Sequence, residues 1–247
     1  MSETMTMWLE ISFNIAYLVV IWGLVITMAR RLPQLAQASQ PLARLFILAF
    51  GLLALGDTGH VGFRVWAYAL GSLEATVTLF GVPVGLVGLG ALATAVTVTF
   101  FYMVMVAIWR TRFGRQYGWL AYLLFAAGVV RLVIMLFPAN AWNSTVPPQP
   151  WSLYRNVPLM VQGLGVAYLI LRDARALADR TFAWIGAMIL TSFAFYLPVI
   201  LFVQQVPPIG MLMIPKTLAY VAIAWLGYRE LYAPAGVRPQ ISPQLPG

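Results

Sequence analysis

FAWIGAMILTSFAFYLPVILFV, from Phe182 to Val203, holds 22 residues without a single charge. A helix rising about 1.5 Å per residue needs roughly 20 residues to cross a hydrocarbon core about 30 Å thick. The backbone polar groups of such a run find no water in lipid, so the segment must satisfy them internally as a helix. Working outward, six further apolar runs have comparable length: Trp8 to Ala29, Leu42 to Arg64, Val84 to Trp109, Trp119 to Phe137, Arg155 to Leu171 and Ile209 to Tyr232. Pro138 bounds the fourth. The expected fold class is therefore all-α: a polytopic membrane protein with seven transmembrane helices in one domain over residues 1–232. Residues 233–247 are rich in proline and read as a disordered cytoplasmic tail. No internal repeat is evident, which gives an inverted-repeat transporter no support.

Composition agrees. Hydrophobic residues make up 62% of the 247-residue chain, charged residues 9%, and mean hydropathy is +0.85. Soluble domains carry roughly 25% charged residues, and a water-facing surface cannot be made from so few. The net charge of +8 is not a nucleic-acid signature, because the arginines fall in short clusters between apolar runs. The absence of cysteine excludes thiolate chemistry and disulfides, and one histidine is too few for a zinc site, so no metal is expected. Glu3 is the only charge ahead of the first apolar run, where a cleavable signal would carry basic residues.

The arginines also set an orientation. Arg30, Arg31, Arg44, Arg110, Arg112, Arg115, Arg172, Arg175, Arg180, Arg229 and Arg238 are eleven of the fifteen basic residues, and all fall on one side of a seven-span chain. By the positive-inside rule that side is cytoplasmic, with Met1 on the opposite face, as in a multi-pass protein of a bacterial inner membrane. On that outer face, Val65 to Pro83 reads as an interfacial helix or an extension of the second span. Asn140 to Tyr154 reads as an ordered loop anchored by Trp142, Trp151 and Tyr154 at the headgroup level.

With those arginines and the cytoplasmic acids Asp173, Asp179 and Glu230 set aside, the membrane-level charges are Glu10, Asp57, Glu74, Arg64, Arg131, Arg155 and Lys216, joined by His60. Measured along each helix, they converge on the outer half. A central charge costs about 2.5–3.5 kcal/mol, so such groups must pair or line a water-filled cavity. In Gly56-Asp57-Thr58-Gly59-His60-Val61-Gly62-Phe63-Arg64 the acid, imidazole and guanidinium fall within an arc of about 60° on one helix face. Such a set could carry acid–base chemistry or serve as a plain ion pair with a histidine spacer. Lys216, the only lysine, is expected roughly 10 Å below the outer boundary, pointing inward, with Asp57 or Glu74 as its carboxylate and Tyr220 on its face. Pro215 and Pro198 should free the carbonyls of Met211 and Ala194. Glu10, Asn14 and Tyr17 form a stripe on the first helix, Arg155 shares a face with Gln162, and Ala127 and Gly128 leave room beside Arg131. Thr94, Thr97, Thr99 and the glycines at 85, 88 and 90 read as packing residues.

The strings GDTGHVGFR (56–64), YRNVPLMVQG (154–163) and IGMLMIPKTLAYV (209–221) resemble a family of bacterial seven-helix membrane proteins with no assigned activity, and that resemblance implies only the fold. Lys216 in the last helix and FAFYLP (193–198) in the sixth are loosely similar to the microbial rhodopsins, which would imply retinal as cofactor. The third helix, however, lacks the counter-ion carboxylate. The seven-helix zinc hydrolases need three histidines and are excluded. The expected function is binding or transport of a small polar or anionic solute in an outer-half cavity, through Asp57, His60, Arg64, Arg131, Arg155, Lys216 and Tyr220. The alternatives are an intramembrane enzyme acting on a lipid or isoprenoid, with Asp57 and His60 catalytic, a retinal photoreceptor through Lys216, and a purely structural ion network. Partners are membrane lipids and a small molecule, not nucleic acid; no other cofactor is expected.

Overall fold

The computed structural model describes residues 3–79, 81–145 and 148–232; for residues 3–7, 9 and 10 it describes the backbone alone. Glu10's side chain and the proline-rich tail from residue 233 therefore lie outside the described residues. Seven helices carry the fold: α1 (Glu3–Arg31), α2 (Gln40–Ala69), α3 (Leu86–Phe113), α4 (Trp119–Met135), α5 (Trp151–Ala176), α6 (Arg180–Phe202) and α7 (Met213–Tyr232). Six are long and apolar enough to cross a membrane; α4, at 17 residues, is the short one. At 1.5 Å per residue α4 spans about 25 Å, which falls short of a full core.

The helices pack as a ring in chain order, closed by α1 against α7. The close α2–α3 pair is explained by glycine. A side chain on Gly56 would strike Thr97, and one on Gly90 would come within 2.9 Å of the His60 Cα. Small residues of this kind let membrane helices approach where solvent offers no driving force between them. Below the middle of the bundle an aromatic layer fills the interior: Phe50 meets Phe101 edge-on at 5.5 Å, and Phe101 meets Tyr102 at 5.1 Å and Tyr220 at 5.5 Å.

Arginines close one end. Arg30 and Arg31, Arg110 and Arg112, Arg175 and Arg229 occupy the last turns of α1, α3, α5 and α7, where the helix dipole favours cations. The acids set aside in the sequence bind this end together. Arg112 reaches Asp179 at 2.9 Å and Glu230 at 2.7 Å, with its guanidinium over the Phe182 ring. Asp173 accepts from the Trp109 indole at 2.7 Å and pairs with Arg172 and Arg115.

At the arginine-poor end the structure departs from the sequence reading. α2 does extend beyond Arg64, but only to Ala69, and the rest of that segment is a hairpin of β1 (Thr76–Leu79) and β2 (Val82–Gly85). Alternation of Thr and Val around Gly81, whose φ is +81°, is the local signal for it. The last helix also begins later than its apolar run. Pro207–Leu212 is a 3-10 segment, so Pro215 falls in the first turn of α7, where a missing N–H breaks no helical bond. The expected release of the Met211 carbonyl by a kink therefore does not occur. Pro198 does lie inside α6, and Pro158 does so inside α5.

Candidate functional site

A cavity of about 1040 Å³ opens inside the arginine-poor half of the bundle, above the aromatic layer. Asp57, His60, Arg64, Arg131, Arg155, Lys216 and Tyr220 all line it, together with Asn14 and Tyr17 of α1. Residues from five helices and up to 206 positions apart in the chain thus meet around one space, as their common depth implied (Asn14 and Tyr220 bound the interval). Two expected members lie elsewhere. Glu74 is exposed in the turn before β1, its N–H donating to the Ser72 hydroxyl, and Gln162 is buried against Gly128 between α4 and α5.

Asp57 is the cavity's one carboxylate among the described side chains. Its Oδ2 accepts from the Tyr17 hydroxyl at 2.7 Å and its Oδ1 from the Thr94 hydroxyl at 3.1 Å. Thr94, read from sequence as a packing residue, is therefore a site residue; the α2–α3 glycine contacts that bring it to Asp57 are tertiary and leave no local trace. Thr99 belongs to the site's frame for the same reason. Arg131, 2% exposed, donates through Nη1 to Thr99 Oγ1 at 2.6 Å and to the Ala95 carbonyl at 2.8 Å, and through Nε to the Arg155 carbonyl at 2.9 Å. All three acceptors are neutral. They fix α4 to α3 and α5 and leave the charge uncompensated.

Two of the remaining cations, Lys216 and Arg155, rest on aromatic faces. The Lys216 Nζ lies 4.4 Å from the centre of the Tyr196 ring and 5.6 Å from that of Tyr220. Among the described residues no ion pair joins it to Asp57 or Glu74, contrary to expectation. The Arg155 guanidinium lies 4.4 Å from the Trp142 ring. Trp142 was expected at the headgroup level but turns inward to the cavity, its indole N–H donating to the Met135 carbonyl at 3.0 Å. Gly88 makes this possible, since any side chain there would collide with the Trp142 carbonyl. Asn143 then holds the loop to the hairpin, accepting from the Gly85 N–H and donating to the Pro83 carbonyl.

These pieces connect. Tyr196, beneath Lys216, donates to Asn156 Oδ1 at 3.1 Å; Asn156 follows Arg155, whose carbonyl receives Arg131. Tyr220 shares a 2.7 Å hydroxyl contact with the buried Tyr102, which belongs to the aromatic floor. Among the described side chains the arrangement is thus a cationic arc on an aromatic and amide frame, facing one carboxylate already occupied by hydroxyls. No grouping of three or more metal-binding side chains occurs among the described residues. Comparison with protein families, curated proteins and solved structures returns no match.

Proposed function

We propose that this protein is a multi-pass inner-membrane protein that binds, and carries, a small anionic solute in this cavity, with the N-terminus outside and the arginine end in the cytoplasm. One observation carries the reading. Arg131, Arg155 and Lys216 line the cavity, and Asp57 is its one carboxylate among the described side chains. Counting Glu10 as a second carboxylate would still leave the cations ahead. Because a membrane-level charge costs about 2.5–3.5 kcal/mol, an uncompensated set is retained at the expense of stability, and an anion supplies the missing counter-charge. Asp57 supports binding over acid–base catalysis, since both its oxygens are engaged by hydroxyl donors.

The test uses the full chain in nanodiscs of zwitterionic lipid and follows thermal unfolding with benzoate, hexanoate and phosphate against benzylamine and hexylamine at matched ionic strength. Anions should raise the unfolding temperature and amines should not, and the Arg155→Met/Lys216→Met double variant should lose the effect. Equal stabilisation by the amines would overturn the proposal.

A further inference from the structure

We infer that the ligand is an amphiphilic organic acid, a carboxylate or phosphate ester carrying an apolar body, rather than an inorganic oxyanion or a polyhydroxylated acid. This rests on the anion-binding reading above and specifies the substrate class for the same cavity.

Size comes first. A water occupies about 30 Å³ of liquid, so an oxyanion of a few heavy atoms would leave most of a 1040 Å³ space unfilled. Cavities of about 300–1000 Å³ are the range that holds organic ligands.

The second observation is the division of the walls. The cations come from α2, α4, α5 and the start of α7. No charged residue occurs between Arg180 and Lys216, and from this stretch Val199, Val203, Pro207, Met211, Met213 and Ile214 form the wall beyond Tyr196 toward the arginine-poor end. Val199 and Val203, spaced by four, continue the α6 face that begins with Tyr196. This wall offers no charged donor or acceptor, so hydroxyl groups placed against it would give up water without replacement. The two methionines add a polarizable surface that adapts to irregular hydrocarbon shapes.

The third observation joins the two halves. Lys216 is the junction: its ammonium sits on the Tyr196 ring while its helix neighbours Met213 and Ile214 belong to the apolar wall. Arg155, on the Trp142 ring, presents the second cation. An acid group held by Lys216 and Arg155 would lay its hydrocarbon along α6 and the 3-10 segment.

The full chain in phosphatidylcholine nanodiscs is titrated calorimetrically with acetate, hexanoate, octanoate and inorganic phosphate, with octylamine and octanol as charge controls and empty nanodiscs subtracted. Affinity should rise about threefold or more per added methylene, and octanoate should outbind phosphate by well over tenfold. Met213→Gln with Val199→Thr, which keeps every cation, should flatten the chain-length dependence while short acids still bind. If phosphate or acetate binds as tightly as octanoate, the amphiphile inference falls and anion binding stands. If octylamine or octanol binds as well as octanoate, both readings fall. A lipid-derived acid already in the cavity would block titration, so lipids retained after detergent purification are identified by mass spectrometry. A retained acidic lipid lost in Arg155→Met/Lys216→Met assigns the ligand to the membrane, whereas titration without a retained lipid assigns it to the aqueous side. Neither titration nor a retained acidic lipid would overturn the inference.

Discussion

Replacing Lys216 with methionine separates a binding cation from a structural one. If Lys216 were half of a dry ion pair, the change would strand a carboxylate and cost about 3–5 kcal/mol. The structure gives it instead two aromatic neighbours, at 4.4 and 5.6 Å, and a cavity. Loss of those contacts forfeits about 1–2 kcal/mol, while removal of a charge at membrane depth recovers about 2.5–3.5 kcal/mol. Methionine, of similar length, fills the same space. The net expectation is a protein more stable by about 0.5–2.5 kcal/mol, the difference of these two ranges, that has lost affinity for acids. Unfolding by SDS titration in mixed micelles measures the first quantity, and calorimetry with octanoate the second. The two hypotheses lie at least about 3.5 kcal/mol apart, well beyond the error of such titrations. A destabilisation of about 3 kcal/mol or more would refute the reasoning, because it would require a carboxylate partner for Lys216.

At the arginine end the opposite result is expected: Arg112→Met leaves the buried Asp179 and the half-buried Glu230 without their partner and should cost about 3–5 kcal/mol, whereas Arg115→Met removes a half-exposed arginine whose buried partner Asp173 keeps Arg172 and the Trp109 indole, and should cost under about 1 kcal/mol by the same SDS titration. Equal losses would mean that Arg112 is not the tie between α3, α6 and α7. Gly88→Ala should displace the Trp142 loop and abolish octanoate binding; normal binding would show that the loop does not shape the cavity. Alkaline phosphatase fusions after Trp142 should be active and those after Arg112 and Arg175 inactive, and an active fusion at Arg175 would overturn the proposed orientation. All-trans-retinal added to expressing cells should give no visible band bleached by hydroxylamine, because an amine that serves as an anion-binding ammonium carries no Schiff base; such a band would replace the anion reading.

What the sequence showed and what it hid follow from the range of the interactions involved. Helix spans are written in runs of 20 or so apolar residues, and the rarity of charge in such runs marks Asp57, Arg131, Arg155 and Lys216 one by one. Depth along each helix then suffices to bring them to a common level, because helices packed side by side between the same two ends of a bundle share a coordinate. Rotation about the helix axis is not written so plainly. Gln162 shares a face with Arg155 by periodicity, yet Gly128 on α4 draws it out of the cavity. Thr94 looks like a packing residue until glycines on both α2 and α3 bring it to Asp57. Where the chain leaves the helical register, prediction by apolar length fails altogether. The 3-10 segment Pro207–Leu212 is as apolar as the helix it precedes, and the hairpin's alternating Thr and Val are too few to outweigh the neighbouring spans.

The partners of the cations were the least legible feature, for a physical reason. Counting charges assumes that cations at one depth find the carboxylates at that depth, and by that logic Asp57 should have paired with Lys216. The fold instead satisfies Asp57 with two hydroxyls, Arg131 with two carbonyls and a hydroxyl, and Arg155 and Lys216 with aromatic faces. Each of these neutral partners stabilises a charge less than an opposite charge would, and each leaves the net charge at the cavity unchanged. A network evolved for rigidity would have placed its carboxylates against its cations, as the arginine end does with Asp173, Asp179 and Glu230. The same chain thus sets its acids Asp173, Asp179 and Glu230 against arginines at one end, and rests Arg131, Arg155 and Lys216 on neutral partners around a cavity at the other, where a counter-anion has reason to enter.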